Sequence, residues 1–99
     1  MRKMSLVLCL LLLVSLVVSA DVYVIPVKGT IEHGVSSFVA RAVRTAERNR
    51  ADLVVVEIDS LGGLVDAALD IRDTIIRSNV PIVTFVTGRA WSAGALIAL

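Results

Sequence analysis

The 99-residue sequence has one cysteine, Cys9, which lies in the apolar segment near the N-terminus. Without that segment the chain has no cysteine and can form no disulfide, even in an oxidising compartment. An excess of basic charge is also missing, because ten Lys and Arg residues face nine Asp and Glu residues, a formal net charge of +1. Removal of Arg2 and Lys3 leaves eight basic residues against nine acidic ones, which offers no electrostatic basis for binding nucleic acid.

The sequence also has no apolar run of the roughly 20 residues that a membrane span needs. The run that is present extends from Leu6 to Val18, after a basic start and before the small residues Ser19 and Ala20. This three-part layout is typical of a secretory signal peptide, so we predict that residues 1–20 are a signal peptide cleaved after Ala20. A retained N-terminal anchor is the alternative.

Residues 21–99 alternate between strand-like and helix-like patterns. Apolar and β-branched runs predict strands at 22–27, 53–59 and 82–86. Such alternation with short loops implies right-handed crossovers and a parallel sheet. Pro26 indicates a strand at an edge or a strand end, and the apolar run Leu53–Val56 is typical of a parallel strand covered on both faces.

Apolar residues at three- and four-residue spacing predict a helix after each of the first two strands. The first helix carries an apolar stripe from Val35 to Ala46. The stripe predicted for the second helix is formed by Leu64, Ala68, Ile71 and Ile75, and is widened by Val65, Leu69 and Ile76. These stripes predict which helix faces are buried.

The segment Gly88–Ala95 is rich in small residues and joins the third strand to a helix. It places Ser92 at a helix N-terminus, where unpaired N–H groups and the helix dipole favour negative charge. The flanking Ala90, Ala93 and Gly94 leave room for another backbone to approach the hydroxyl. Ser92 is therefore a candidate nucleophile. The alternative is that Ser92 only caps the helix, because Ser is a preferred N-cap residue.

A second loop, predicted at Ser60–Gly63, follows the neighbouring strand. Loops at the C-terminal ends of parallel strands meet at the edge where open α/β sheets bind ligands. The Gly62-Gly63 pair brings backbone amides to the start of a helix, and Ala93 supplies another amide after Ser92. Two such donors beside a serine can stabilise the tetrahedral intermediate of acyl transfer. A Gly-Gly pair alone is weak evidence, because most are ordinary strand-to-helix turns.

These motifs resemble those of a known family. Ser60-Leu61-Gly62-Gly63 is similar to the Ser/Thr-Pro-Gly-Gly turn of the ClpP/crotonase superfamily, and Gly88-x-Ala90-x-Ser92-Ala93-Gly94 resembles the nucleophile motif of its serine peptidases. Together with Val22–Ile31 and Glu57–Ser60, they are most similar to the NfeD family of membrane-bound ClpP-class serine proteases. The resemblance covers essentially the whole of residues 21–99. It implies an α/β, ClpP/crotonase-like fold, of which this chain holds the N-terminal part.

The resemblance also implies a Ser-Lys dyad peptidase. Ser92 matches the nucleophile, the amides of Gly63 and Ala93 match the oxyanion hole, and Gly62 and Trp91 are expected to contact substrate. In such a dyad a neutral lysine takes the serine proton, which requires burial to lower its pKa. The family's lysine lies further along the chain than residue 99, so we expect residues 1–99 to hold half of the catalytic pair and to be inactive alone.

Two residues depart from the family pattern. Leu61 stands where proline is usual, which loosens the turn that orients Gly63, and Trp91 is bulkier than the usual neighbour of the nucleophile. Both put the rate and the substrate preference in doubt. Local substitutes for the base are poor, because His33 is an isolated loop histidine and Lys28 is expected to be a surface charge.

Glu57 and Asp59 lie two residues apart on a predicted strand and point the same way, so a carboxylate pair or a metal site is conceivable. Because no histidine or third carboxylate has a matching spacing, a structural role is favoured. We expect no metal and no cofactor.

The predicted function is that of an exported or membrane-associated serine endopeptidase that cleaves apolar segments of membrane-associated proteins. As partners we expect a peptide or protein substrate, a stomatin-like membrane protein and further copies of the chain, but no nucleic acid. One competing hypothesis is a non-catalytic scaffold or membrane-partner protein on the same fold. Another is a crotonase-type acyl-CoA enzyme, against which the signal peptide counts.

Overall fold

The computed structural model describes residue 3 and residues 19–99. The predicted signal peptide therefore lies outside the described residues, except for residues 3, 19 and 20, and Cys9 also lies outside them. The signal peptide remains a prediction. In the part of the chain that is described, no helix has both the length and the apolar character needed to cross a membrane.

Strands and helices alternate along the chain, as the sequence predicts. The elements are β1 (Val22–Ile31), α1 (His33–Arg48), β2 (Leu53–Gly63), α2 (Val65–Arg77), β3 (Ile82–Ala90) and α3 (Ala93–Ala98). The strands form a parallel sheet in the order β1-β2-β3. Pro26 lies in β1, an edge strand of the sheet that residues 19–99 form, so its interpretation as an edge residue is confirmed.

The hydrophobic core lies on one face of the sheet. In β2 the side chains of Val54, Val56 and Ile58 are fully buried. They share one cluster with buried residues of all three helices: Val39, Val43, Ala46, Ala67, Ala68, Ile71, Ala93 and Ile97. Strands that are adjacent in chain order and joined by right-handed crossovers place every connecting helix on the same side of the sheet.

The opposite face of the sheet is open within residues 19–99. Val24 of β1 and Val83 of β3 pair with Val55 across this face and are 54% and 49% exposed, and Phe85 is 59% exposed. The prediction that both faces of β2 are covered is therefore wrong for the described residues. The reason is topological, because the crossovers bring all the described helices to the other face.

Helix α2 buries a narrower stripe than its sequence predicts. Ala67, Ala68 and Ile71 are buried, and Ile75 is half-buried. The other residues of the predicted stripe are between 44% and 64% exposed: Leu64, Val65, Leu69 and Ile76. The helix meets the core along its two alanines, so its backbone packs closely and the larger flanking side chains remain outside.

The strands extend further towards the predicted ligand-binding edge than their sequence patterns indicate. β1 continues to Ile31, beyond the strand predicted at 22–27, and β2 continues through Ser60–Gly63, so that Ile31 pairs with Gly63 after a register shift. Glycine permits this path, because φ is +118° at Gly62 and +155° at Gly63. A Cβ at Gly63 would overlap the backbone of Ile31. The turn predicted at Ser60–Gly63 is therefore a strand end.

Candidate active site

Ser92 forms a sharp elbow between β3 and α3. Its backbone has φ +51° and ψ −121°, a conformation that is costly for a residue with a side chain, by about 1–3 kcal/mol. Ser92 occupies the N-cap position of α3, yet its hydroxyl makes no cap hydrogen bond and the residue is exposed. The interpretation of Ser92 as a simple capping residue is therefore wrong. Its hydroxyl is available for chemistry.

Backbone hydrogen bonds hold the chain on either side of Ser92. The Trp91 N–H donates to the Ser60 carbonyl at 3.1 Å, which joins the elbow to the end of β2. In the first turn of α3, the Gly94 N–H donates to Trp91 O at 2.9 Å and the Ala95 N–H donates to Ser92 O at 3.0 Å. The N–H groups that begin a helix have no partner inside it, so the Ala93 amide follows Ser92 without an intrahelical bond.

The end of β2 lies against the elbow, as the sequence predicts. A Cβ at Gly62 would lie 2.9 Å from Ser92 Cβ and 3.4 Å from Ser92 Oγ. It would also lie 3.3 Å from the Trp91 carbonyl oxygen. Gly62 is buried beneath these atoms, so Gly62, Trp91 and Ser92 converge on one point of the sheet edge.

The orientation of Gly62 is held by Ser60. Ser60 is 2% exposed, and its hydroxyl accepts the Gly62 N–H at 3.0 Å while it donates to the Gly29 carbonyl at 2.5 Å. Because the Gly62 amide already donates to Ser60, it is not a free oxyanion donor. The sequence carries a signal for this bond, because serine hydroxyls commonly accept the N–H two residues on.

Apolar side chains flank the meeting point. Leu61, Leu64 and Trp91 are 55%, 47% and 62% exposed, and they are close in sequence to Gly62 and Ser92. A cleft of about 200 Å³ adjoins Gly62 and is lined by Gly29, Thr30, Asp59, Ser60, Leu61, Gly62 and Arg89. Exposed apolar surface beside a cleft is a feature of sites that bind apolar groups.

Neither local substitute for a base is brought into the site as a partner of Ser92. Lys28 Nζ lies 3.7 Å from Glu57 Oε2, and the Lys28 side chain is 59% exposed. His33 Nε2 lies 3.3 Å from Asp66 Oδ2, and both of those side chains are more than half exposed. The prediction that Lys28 is a surface charge is confirmed.

The two carboxylates of β2 are also engaged elsewhere. Glu57 pairs with Lys28, whereas Asp59 Oδ1 accepts the Arg89 N–H at 3.1 Å. Among residues 3 and 19–99, no group of three or more His, Cys, Asp or Glu side chains is arranged to hold a metal ion. The bond from Asp59 to the backbone of β3 could not be predicted from the sequence, because it depends on how β3 bulges opposite β2.

Known proteins share the sequence family and the fold of this chain. Residues 21–99 match the family model described as NfeD1b, N-terminal domain. The membrane protein NfeD1b of Bacillus subtilis is 45% identical over 78 residues, and the membrane-bound protease PH1510 of Pyrococcus horikoshii is 35% identical over 81 residues. Each match covers 79% of this chain but 18% of the relative, so the chain spans less than a fifth of these proteins.

Solved structures share the fold. A serine-to-alanine mutant of the 1510-N membrane-bound stomatin-specific protease has a TM-score of 0.75 at 29% identity, over 83% of this chain and 41% of that one. A lysine-to-alanine mutant of the same protease, in complex with a substrate peptide, has a TM-score of 0.74 at 30% identity, over 83% and 39%. ClpP1 from Listeria monocytogenes has a TM-score of 0.72 at 27% identity, over 75% and 44%.

The α/β, ClpP-like fold expected from the motifs is therefore confirmed, and the relatives include a membrane-bound protease. This chain belongs to the NfeD1b N-terminal domain family.

Proposed function

We propose that the complete gene product is a membrane-associated serine endopeptidase with Ser92 as its nucleophile. The observation that carries the proposal is the backbone of Ser92, which is held at φ +51° while its hydroxyl makes no cap hydrogen bond. Strained residues persist where the surrounding fold imposes the strain, and they cluster at active sites. The relationship to a membrane-bound protease supports the same conclusion.

In this mechanism Ser92 Oγ attacks the carbonyl carbon of the scissile peptide bond, and its proton passes to a neutral lysine amine. The carbonyl oxygen becomes an oxyanion, which accepts hydrogen bonds from the amides of Gly63 and Ala93. The lysine then gives its proton to the leaving amine as the C–N bond breaks. Water hydrolyses the resulting acyl-enzyme and restores the Ser92 hydroxyl.

The base is assigned to a lysine outside residues 1–99, because Lys28 is paired with Glu57 on the surface. Solved relatives that carry a serine-to-alanine or a lysine-to-alanine substitution support the choice of these two residue types. On this assignment residues 1–99 alone are inactive, because they contain the nucleophile and the oxyanion donors without the base.

The proposed substrate is an apolar segment of a stomatin-like membrane protein. A solved relative described as a stomatin-specific protease, in complex with a substrate peptide, supports this choice. Leu61 and Trp91 offer exposed apolar surface next to Gly62 and Ser92, which a peptide of this kind can cover. Gly62 and Trp91 are proposed to contact the substrate near the scissile bond.

The location proposed for the enzyme is the membrane, after export directed by a signal peptide at residues 1–20. Both curated relatives are named as membrane proteins, which supports membrane association. We further propose that copies of the chain assemble as a homo-oligomer.

The test is cleavage of an apolar peptide by the complete gene product, with Ser92→Ala as the inactive variant. The wild-type protein is expected to cleave the peptide and to react covalently with a fluorophosphonate probe, which labels activated serines. Ser92→Ala is expected to lose both reactions while its circular dichroism spectrum is unchanged. Cleavage that survives Ser92→Ala contradicts the proposal. A wild-type protein that neither cleaves nor labels, but binds a stomatin-like protein, favours the non-catalytic scaffold.

A further inference from the structure

Asp59 lies opposite an irregular stretch of β3 that leads into the Ser92 elbow. Ile58 pairs with Val86 and Ser60 pairs with Ala90, so residues 87–89 of β3 face a single residue of β2. Extra residues in one strand interrupt the ladder and leave backbone groups without their usual partners. The path of this bulge must therefore be set by contacts other than strand pairing.

The Asp59 carboxylate supplies such contacts at two consecutive residues. Its Oδ1 accepts the Arg89 N–H at 3.1 Å and lies 3.9 Å from Arg89 Nε. A Cβ at Gly88 would lie 2.5 Å from Oδ1 and 2.7 Å from Cγ of Asp59. The carboxylate therefore packs directly against the backbone of Gly88 and holds the N–H that follows it.

The next residue of β2 holds the same segment from its other end. Ser60 O accepts the Trp91 N–H at 3.1 Å, so Asp59 and Ser60 bracket Ala90 just before the elbow. Within residues 19–99, Asp59 is the one residue whose side chain hydrogen-bonds the backbone of residues 87–93. The strained conformation of Ser92 must be maintained by its surroundings. These two bonds hold the backbone just before Ser92 to β2, in addition to the pairing of Ser60 with Ala90.

We propose that Asp59 is a positioning residue, which fixes the bulge at Gly88 and Arg89 and thereby the direction in which Ser92 presents its hydroxyl. The proposal rests on the proposed peptidase function. The role requires an acceptor oxygen at the end of a side chain of this length, and it does not require the negative charge.

The test compares Asp59→Ala and Asp59→Asn in the complete gene product, with kcat and KM expressed per fluorophosphonate-labelled site. Asp59→Ala is expected to lower kcat about 10- to 100-fold with KM changed by less than about threefold, because small displacements of a nucleophile are costly. Asp59→Asn is expected to stay within about threefold of wild type, because its amide oxygen can accept the same N–H.

The matched control is Glu57→Ala, which removes a carboxylate from the same face of β2, two residues earlier. Glu57 pairs with Lys28, so Glu57→Ala is expected to leave kcat unchanged. If Asp59 had a purely structural role, Asp59→Ala would increase the fraction of misfolded protein. Dividing the rate by the number of labelled sites removes this effect from kcat. Equal kcat values for Asp59→Ala and Glu57→Ala, or an Asp59→Asn variant as impaired as Asp59→Ala, overturn the proposal.

A double-mutant cycle tests the contact with Gly88. Gly88→Ala places a methyl group against the Asp59 carboxylate and is expected to lower kcat about tenfold in the wild-type background. In the Asp59→Ala background the same change is expected to have little further effect, because the group that the methyl group meets is gone. Independent, additive losses contradict the proposed contact.

Hydrogen exchange separates this proposal from the peptidase assignment. In Asp59→Ala, peptides that span residues 86–93 are expected to exchange faster, while those of β1 keep the wild-type rate. If Ser92→Ala retains cleavage, the peptidase assignment fails, and the exchange data still decide whether Asp59 holds the elbow. Unchanged exchange at residues 86–93 overturns the positioning role.

Discussion

Gly62 packs directly against the side chain of Ser92. A Cβ added to Gly62 would lie 2.9 Å from Ser92 Cβ. Two non-bonded carbon atoms do not approach this closely, so only the hydrogen of glycine fits. The backbone at the end of β2 therefore packs against the side chain of Ser92 in the elbow after β3. In the proposed peptidase mechanism, this close approach brings the end of β2 next to Ser92.

Gly62→Ala tests the contact. We expect a loss of about 2–4 kcal/mol in the free energy of unfolding, because the left-handed φ of +118° and the crowding against Ser92 both oppose a Cβ. Gly29→Ala is the control, since Gly29 also has a left-handed φ, +79°, but no atom lies within 4 Å of its added Cβ. This control is expected to cost about 1–2 kcal/mol. Equal losses in denaturant unfolding would contradict the contact.

Ser60→Ala removes the hydroxyl that joins Gly29 to Gly62. The buried Gly62 N–H and the Gly29 carbonyl both lose a partner, so we expect a loss of about 1–3 kcal/mol in the free energy of unfolding. Ser60→Thr keeps a hydroxyl and is expected to lose less. Ser37→Ala, at an exposed serine of α1, is the control and is expected to change stability by no more than about 0.5 kcal/mol. If Ser60→Ala leaves the free energy of unfolding unchanged, the prediction is wrong.

Ser92→Gly is expected to stabilise the protein while it abolishes cleavage. The strain at Ser92 is worth about 1–3 kcal/mol, and glycine relieves it at an entropic cost of about 0.5–1 kcal/mol, which leaves a net gain near 1 kcal/mol. Ser92→Ala keeps the strain and loses no cap hydrogen bond, so its stability is expected to match wild type. Thermal unfolding and peptide cleavage measure both effects.

The control for this prediction is Arg50→Gly. Arg50 also has a left-handed φ, +52°, but it lies in the connection between α1 and β2, away from the elbow. Its replacement is expected to raise stability and to leave cleavage intact. A Ser92→Gly variant that is less stable than Ser92→Ala would show that the backbone of Ser92 is not strained.

Trp91→Ala tests the exposed apolar surface beside Ser92, the proposed nucleophile. Trp91 is 62% exposed, so its loss is expected to change stability little and to raise KM for an apolar peptide about five- to tenfold, through lost burial of apolar surface. Ile76→Ala, at a residue of α2 with 64% exposure, is the matched control and is expected to leave KM unchanged. The substrate-contact role of Trp91 fails if the two variants have the same KM.

Local patterns predicted much of the fold. The apolar runs and helical spacings gave the alternation of strands and helices, and the small residues around Ser92 predicted an elbow between a strand and a helix. Each of these features depends on residues that are neighbours in the chain, so backbone propensity and side-chain size determine them. Two loops were also expected at one sheet edge, because parallel strands with helical crossovers place them there.

The errors concern features that depend on pairing between distant residues. The predicted turn at Gly62-Gly63 is a strand end because Ile31 pairs with Gly63. The stripe on α2 is narrower than predicted because the helix meets the core along Ala67 and Ala68. Ser92 makes no cap hydrogen bond, and its φ of +51° differs from the extended backbone that is typical of a capping serine.

The sequence by itself determined the order of the elements, the family and the position of the serine, because these depend on motifs and on short-range spacing. Tertiary structure alone decided that Gly62 contacts Ser92, that Asp59 packs against Gly88 and accepts the Arg89 N–H, and that one face of the sheet is open in the described chain. Those three features follow from strand register and from the side on which the helices cross, and neither quantity is encoded in any local stretch of residues.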